Sequence, residues 1–291
     1  MFKNKLKNSI LVVCNDAGGA NQIYYLLKEK KIKYKSYLSG PAIKIFKKKR
    51  DIKKNLKQLI INSDIVILGS GTGNFEHKAL KIANFYKKHT IVFLENWVNF
   101  KTRFTRKKNY FLPKEIWVSD KEAFNLTQKI FNKTIKIKKV KNSYLAFFKN
   151  KIKNKTKTNS NKALYLSPNY DMSGINKVYR KKVDLRNFLI LLKKINNIKN
   201  IINRNKIYLD IILHPGEKLN KYSLIEKKYS NLIKVLKNRK IENMLINYKY
   251  AISTNSYALL IAKKIGLVTI NHIKGTGIKK TLPNQYIDYL V

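Results

Sequence analysis

The stretch Ile207-Tyr-Leu-Asp-Ile-Ile-Leu-His-Pro-Gly-Glu217 decides how this chain is read. Its β-branched and aliphatic residues run without the alternation of a half-exposed strand, which is the pattern of a strand buried on both faces. The run stops at His214-Pro215-Gly216. Proline lacks a backbone donor and pushes the residue before it out of helical space, so His214 is expected in extended backbone at the carboxyl end of the strand. In open α/β sheets, ligands sit in the crevice beyond those ends. A histidine beside a proline also suits a plain strand-end turn, and Glu217 three residues on either orients His214 or meets a ligand.

The next clear strand signal is of the same kind. Lys249-Tyr-Ala-Ile-Ser-Thr-Asn-Ser-Tyr-Ala-Leu-Leu-Ile-Ala-Lys263 reads as a short strand, a hydroxyl-rich turn and an amphipathic helix. Ser253, Thr254, Asn255 and Ser256 fall at the helix entrance, where side-chain oxygens cap free amides. The remaining N–H groups and the positive end of the helix dipole suit a phosphate. An ordinary N-cap is the other reading.

Outward from these two stretches, strands and helices alternate along most of the chain, which predicts parallel, doubly wound sheets. Ser9 to Cys14 reads as a strand, Asn15-Asp-Ala-Gly-Gly-Ala20 as a tight glycine turn, and Asn21 to Lys30 as a helix. Asp64 to Leu68 is a second strong strand, followed by Gly69-Ser-Gly-Thr-Gly73, a loop able to take phosphate or sugar through Ser70, Gly71 and Thr72. Thr90 to Leu94 ends at Glu95, and Ile116 to Val118 ends at Ser119-Asp120. Asn150 to Lys162 is rich in Lys, Asn and Thr and reads as a linker. The expected division is therefore 1–149, a linker over 150–162, and 163–291, where strands restart at Ala163 and the helix Asp184 to Ile195 follows.

At 291 residues with 44% hydrophobic content, the chain can bury two cores of ordinary domain size. The formal charge of +47 first suggests nucleic acid. Arg, however, stands at only seven positions while Lys is spread almost everywhere. Readers of nucleic acid lean on Arg for bidentate contacts, so no specific nucleic-acid partner is expected. The charge should still attract nucleotides, anionic substrates and acidic headgroups, which allows peripheral contact with an anionic membrane. Single Cys14 excludes a disulfide framework. The basic segment Met1 to Ser9 precedes an apolar run too short for a signal-peptide core, and no run approaches membrane-spanning length. A cytoplasmic location, with the inner membrane face as an option, is the expectation.

Among residues able to carry chemistry, Asp16 is the first candidate for a general base, because its strand–turn–helix setting points it at a ligand crevice. Gly18 and Gly19 beside it are candidates for an acceptor or phosphate loop, and Glu95 either binds a sugar hydroxyl or anchors its own loop. His77, His89 and His272 lack metal-ligand spacing, so neither a metal nor another cofactor is implied.

Together these features resemble GT-B-type glycosyltransferases, and most closely bacterial surface-polysaccharide transferases with a His-Pro and a Ser/Thr-Ser motif, such as sialyl- and polysialyltransferases and related glycerophosphate transferases. His214-Pro215 matches the first motif and Ser253-Thr254-Asn255-Ser256 approximates the second. The resemblance implies two Rossmann-like lobes with parallel sheets and a cleft between them. It implies a carboxyl-terminal lobe for a CMP-, UDP- or similar nucleotide-sugar donor, held by His214 to Glu217 and Ser253 to Ser256. The amino-terminal lobe would then take a glycan or lipid-linked acceptor, with Asp16 and His214 as catalytic residues. Ala17 departs from the acidic-acidic-Gly pattern of the sialyltransferases. Two other readings stand beside transfer: a nucleotide-sugar epimerase or hydrolase, or a noncatalytic relative, on the same fold. Nucleic-acid binding ranks third.

Overall fold

The computed structural model describes residues 9–291 except 49–54, 72, 107–108, 132–133, 154–161, 169–176, 202–205, 215–216 and 237–240. The chain divides into two compact units, Met1–Phe147 and Phe148–Val291.

The first unit runs β1 Ile10–Cys14, α1 Ala17–Glu29, β2 Lys35–Leu38, α2 Gly40–Ile45, α3 Leu56–Ile61, β3 Ile65–Leu68, α4 Asn74–Phe85 and β4 His89–Leu94. It continues with α5 Phe100–Phe104, the short antiparallel pair β5 Thr105–Arg106 and β6 Asn109–Tyr110, β7 Glu115–Val118, α6 Lys121–Phe131, β8 Lys136–Lys139 and α7 Ser143–Lys153, which passes into the second unit. Six strands form one parallel sheet in the order β2-β1-β3-β4-β7-β8. Successive side chains point to opposite faces, so Leu11 and Val13 of β1 pack into one core while Val12 and Cys14 pack into the other. That two-sided burial is what the continuous apolar runs encode. Lysine-rich β8 escaped the sequence reading. Its strand is tied to the sheet by Lys138, whose ammonium lies 2.7 Å from the buried Glu115 carboxylate of β7.

The second unit runs β9 Lys162–Leu166, α8 Lys177–Lys193, α9 Ile195–Ile201, β10 Tyr208–Ile212, α10 Ser223–Lys228, β11 Ile233–Leu236, α11 Ile241–Met244, β12 Tyr250–Ser253, α12 Tyr257–Lys264, β13 Val268–Asn271 and β14 Tyr289–Leu290. Its parallel sheet has the order β11-β10-β9-β12-β13-β14, the strand order of a dinucleotide-binding fold. Tyr165, Phe188 and Tyr222 are fully buried and meet edge to face, filling one side of this sheet with aromatic rings. The chain thus has the expected fold class, α/β with two Rossmann-like parallel sheets.

Three local expectations change. Asn15 to Ala20 is not a tight turn: α1 begins at Ala17, so Gly18 and Gly19 lie in its first helical turn. The helix expected over Asp184 to Ile195 spans Lys177–Lys193 and then breaks before α9. Of the stretch expected as a linker, Asn150 to Lys153 belong to α7 and Lys162 to β9; the residues between lie outside the described ones. Among the described residues no helix is long and apolar enough to cross a membrane.

Candidate functional site

In each sheet, chain order reverses beside its first strand. In the first unit the reversal falls between β1 and β3. There the peptide planes of neighbouring loops diverge and open a crevice at the carboxyl ends. Asn15 and Asp16 follow β1, and Gly69, Ser70 and Gly71 follow β3. Glu76, from the first turn of α4, reaches back under β1: its Oε1 accepts the Asn15 peptide N–H at 2.6 Å. Glu76 is only 4% exposed, and its Oε2 has no hydrogen-bond partner. Burial, with the Asp16 carboxylate beside it, lifts the Glu76 pKa to about 7 against the partial relief given by the Asn15 amide. Asp16, at the N-cap position of α1, accepts from Asn15 Nδ2 at 2.8 Å through Oδ1.

Backbone closeness makes this crowding possible. A Cβ on Gly71 would stand 2.5 Å from Asp16 Oδ2 and 3.0 Å from Glu76 Oε2, and one on Gly19 would stand 2.8 Å from the Gly69 Cα. The glycines therefore serve close approach rather than turn formation. A third carboxylate, Glu95 at the end of β4, accepts the Ser70 hydroxyl hydrogen bond and pairs with Arg103 at 3.2 Å. The Arg103 guanidinium also donates to the Ser70 carbonyl, while Arg106 donates to the Gly73 carbonyl at 2.7 Å. Gly69, Ser70, Gly71, Glu76, His77 and Arg103 line a small pocket here. Burial, then the nearby Arg106 charge, pulls the His77 pKa down. Cys14, at the end of β1, is fully buried and its thiol is pushed well up by desolvation and by Glu76, so it is no thiolate nucleophile.

In the second unit the reversal falls between β9 and β12. Ser167, after β9, sits at its centre. Its hydroxyl donates to Glu217 Oε1 at 3.0 Å and lies 2.9 Å from the Tyr222 hydroxyl. Glu217 closes the loop after β10 on itself: its Oε2 accepts the His214 peptide N–H at 2.9 Å, its own N–H donates to the His214 carbonyl at 2.9 Å, and Lys221 pairs with Oε1. Glu217 orients the His214 backbone in this way. The His214 side chain is exposed at the rim, yet enough protein surrounds the ring that desolvation, opposed by the Glu217 carboxylate and aided by Lys221, holds its pKa below the ordinary value, leaving a neutral imidazole at pH 7.

The loop after β12 is built mostly by its own polar groups. The Ser253 hydroxyl is buried and donates to the Leu166 carbonyl at 2.5 Å, fastening β12 to β9. Asn255 takes φ of +50°, a left-handed conformation that asparagine tolerates. Its side chain bonds the Lys279 carbonyl at 2.7 Å and the Thr281 amide at 3.1 Å. Ser256 caps α12 by accepting from the Ala258 N–H at 3.2 Å. Thr254 is 1% exposed with no partner for its hydroxyl. Next to it, His272 follows β13 with its N–H donated to the Ser253 carbonyl at 2.8 Å; the imidazole is fully buried and neither ring nitrogen has a partner.

The fold therefore brings Asp16, Gly18, Gly19, Ser70, Gly71 and Glu95 to one edge of the first sheet, and His214, Glu217 and Ser253 to Ser256 to one edge of the second. Within the second, His214 and the Ser253 loop are separated by the width of β9, roughly 10 Å at two strand spacings. Thr72, Pro215 and Gly216 lie outside the described residues. Glu76, Ser167, Arg103 and Lys221 were not singled out from the sequence. The signal for Ser167 was available, a hydroxyl residue closing the first strand of a Rossmann-like unit. For Glu76 the partner is 61 residues away.

No family model matches the chain, and no curated protein matches it. Solved structures do. A Listeria monocytogenes protein assigned as a UDP-N-acetylglucosamine 2-epimerase is similar over 90% of this chain and 79% of its own, with a TM-score of 0.55 at 14% identity. A variant of the wall teichoic acid polymerase TagF aligns over 91% of this chain and 70% of its own, with a TM-score of 0.48 at 10% identity. At these identities the first likeness establishes a shared fold.

Proposed function

We propose that the chain is a GT-B-type transferase that moves a sugar, or a sugar-like group, from a nucleotide donor to a glycan or lipid-linked acceptor at the cell surface. The second unit would hold the donor and the first the acceptor. The observation that carries this reading is the chemical division between the two switch points. The second gathers an imidazole, hydroxyls and the amino end of α12, and the one carboxylate found there among the described residues, Glu217, is closed by Lys221 and two other donors. Such a set accepts phosphate oxygens and stabilises a departing phosphate without a metal. A nucleoside diphosphate is long enough to reach from the α12 terminus to His214. The first switch point gathers carboxylates and a pocket, which suits hydroxyl groups and the removal of a proton.

A second reading rests on one specific observation. Asp16, Glu76 and Glu95 surround a single glycine loop, and several carboxylates at one site also suit proton abstraction from a sugar carbon, as an epimerase of nucleotide sugars requires.

The test is thermal stabilisation of the native chain and of His214→Ala by CMP, CDP, UMP, UDP, GDP and dTDP, then product analysis with the matching nucleotide sugar. Saturation at about a hundred times the dissociation constant adds about 2.7 kcal/mol, a shift of several degrees. One base class should stabilise the native chain, and His214→Ala should lose most of that shift. Acceptor-dependent release of nucleotide then supports transfer, and an altered sugar still attached to its nucleotide supports epimerisation. Absence of any shift at millimolar nucleotide sinks both.

A further inference from the structure

We propose that Glu76, rather than Asp16, is the proton acceptor of the first unit: Glu76 lines the pocket beside the β1–β3 switch point, and its buried, unpartnered Oε2 takes the proton of the acceptor hydroxyl. The inference deepens the transferase reading and rests on it.

Geometry separates the carboxylates of this edge. Glu95 is committed, with Ser70 on one oxygen and Arg103 on the other. Asp16 is half-buried and held by its neighbour Asn15. Glu76 is 96% enclosed, has Oε1 fixed by the Asn15 amide with the Asp16 and Glu76 amides also acting on the carboxylate, and turns Oε2 toward Gly71 without a hydrogen-bond partner of its own. A buried acceptor left unpaired costs about 1–3 kcal/mol, which a fold would relieve by substitution unless the atom had another use. The missing Cβ at Gly71 lets its backbone lie against both Asp16 Oδ2 and Glu76 Oε2, which a side chain there would displace.

The surrounding charges set the group's behaviour. From β1 come Cys14 and Asp16, from the β4 end Glu95, from α4 itself His77, and from the α5–β5 segment Arg103 and Arg106. Desolvation and the Asp16 carboxylate outweigh the other influences, so Glu76 exchanges its proton near pH 7, where a general base is most effective. In the step itself, the acceptor oxygen forms its bond to the electrophilic centre of the donor as the bond from that centre to the leaving phosphate oxygen breaks. The electron pair leaves on the phosphate, and the hydroxyl proton passes to Glu76 Oε2. Asp16 then acts as a positioning residue that keeps Glu76 proton-hungry.

The experiment uses the full chain and two readouts. Carboxyl 13C shifts of Glu-labelled protein are followed from pH 4 to pH 9, with the Glu76 resonance assigned through Glu76→Gln. A midpoint near 7 that falls toward the ordinary range in Asp16→Asn is expected, and a midpoint in the ordinary range in the native chain overturns the proposal. In parallel, nucleotide release from the nucleotide sugar selected by stabilisation is measured with a mixed glycan acceptor pool against pH. The acidic limb should coincide with the 13C midpoint, and Glu76→Gln should lose about 10²–10⁴-fold in rate while nucleotide stabilisation is unchanged. Retention of rate and limb in Glu76→Gln, with their loss in Asp16→Asn, assigns the role to Asp16 and overturns the inference. Failure of nucleotide binding strikes the transferase reading instead, and the carboxyl titration still decides the state of Glu76.

Discussion

Beside the switch point of the first sheet a buried, unpartnered oxygen belongs to an acid, Glu76; one strand along from that of the second, after β13, a buried, unpartnered ring belongs to a base, His272. Both side chains are almost wholly enclosed, and burial acts on both in the same way, against the charged form. Because one is charged when deprotonated and the other when protonated, the result is opposite: the Glu76 pKa rises to about 7, and that of His272 falls to about 4, first through desolvation and then through Lys194. The same physical penalty thus gives the two units opposite responses to acid. One acid is made available for proton exchange at neutral pH, and one imidazole is made inert.

The largest expected effect follows from that opposition. Glu76 in the folded chain holds a proton between about pH 4.5 and 7 that the unfolded chain has released. Its contribution therefore favours folding in acid and is lost as pH rises through 7. His272 lacks, between about pH 6.5 and 4, a proton that the unfolded chain has taken up. Its contribution is present at neutral pH and is lost as pH falls through that window. Each shift spans about 2.5 pH units, or about 3–3.5 kcal/mol at roughly 1.4 kcal/mol per unit. Glu76→Gln should accordingly stabilise the chain by about 3 kcal/mol at pH 8 and by almost nothing at pH 4.5. For His272→Leu, the gain over the native chain should grow by about 3 kcal/mol between pH 7 and pH 4. Urea unfolding at each pH measures both, and hydrogen exchange at β1 and β3 against β12 and β13 places each change in its unit. Equal effects of Glu76→Gln at both pH values would break the comparison.

How much of this was legible depends on distance along the chain. The strands β10 and β12 were readable because burial on both faces requires an unbroken apolar run, and the ends at His214-Pro215 and Ser253 to Ser256 carry local backbone chemistry. The alternation of strands and helices was enough for parallel, doubly wound sheets; the two Rossmann-like lobes came with the resemblance. Gly18 and Gly19 were misread because glycine signals both turns and close approach, and only the packing of α1 on Gly69 distinguishes them. Glu76 is by local rules only a favourable acid in a first helical turn. What makes it a candidate for chemistry is its contact with Asn15 and Asp16, and a sequence read in windows does not contain that contact. Lys221 is an instructive contrast: it stands four residues from Glu217, within reach of local reasoning, and was passed over amid so many lysines.

A middle-sized effect tests whether the first switch point needs its backbones in contact. Gly19→Ala places a Cβ 2.8 Å from the Gly69 Cα, a backbone atom that cannot rotate away. Forced movement in a packed interior costs about 1–3 kcal/mol, against an intrinsic helical gain of up to about 1 kcal/mol for Ala over Gly. A net loss in the unfolding midpoint is expected. Gly73→Ala is the control, since a Cβ there meets nothing within 4 Å, and a change well under 1 kcal/mol is expected. If both substitutions behave alike, close approach is not what holds Glu76 and Asp16 together.

The smallest effect asks what the second switch point does with its hydroxyls. Ser256 already spends its side-chain oxygen on the Ala258 N–H, so Ser256→Ala should cost about 1 kcal/mol of stability as the loss of an N-cap, and Ser256→Gly only a few tenths. Thermal unfolding of the ligand-free chain measures that cost. Repeating it with the stabilising nucleotide separates two uses of the same loop. If Ser256→Ala loses the cap contribution but keeps the nucleotide shift, the phosphate is held by the amides and dipole of α12. If stability is unchanged and the nucleotide shift disappears, the hydroxyl turns from cap to ligand on binding, and the helix end must release it. The first outcome is expected, because the cap hydrogen bond and the buried Ser253 and Thr254 already define a rigid helix entrance whose backbone is the more constant donor.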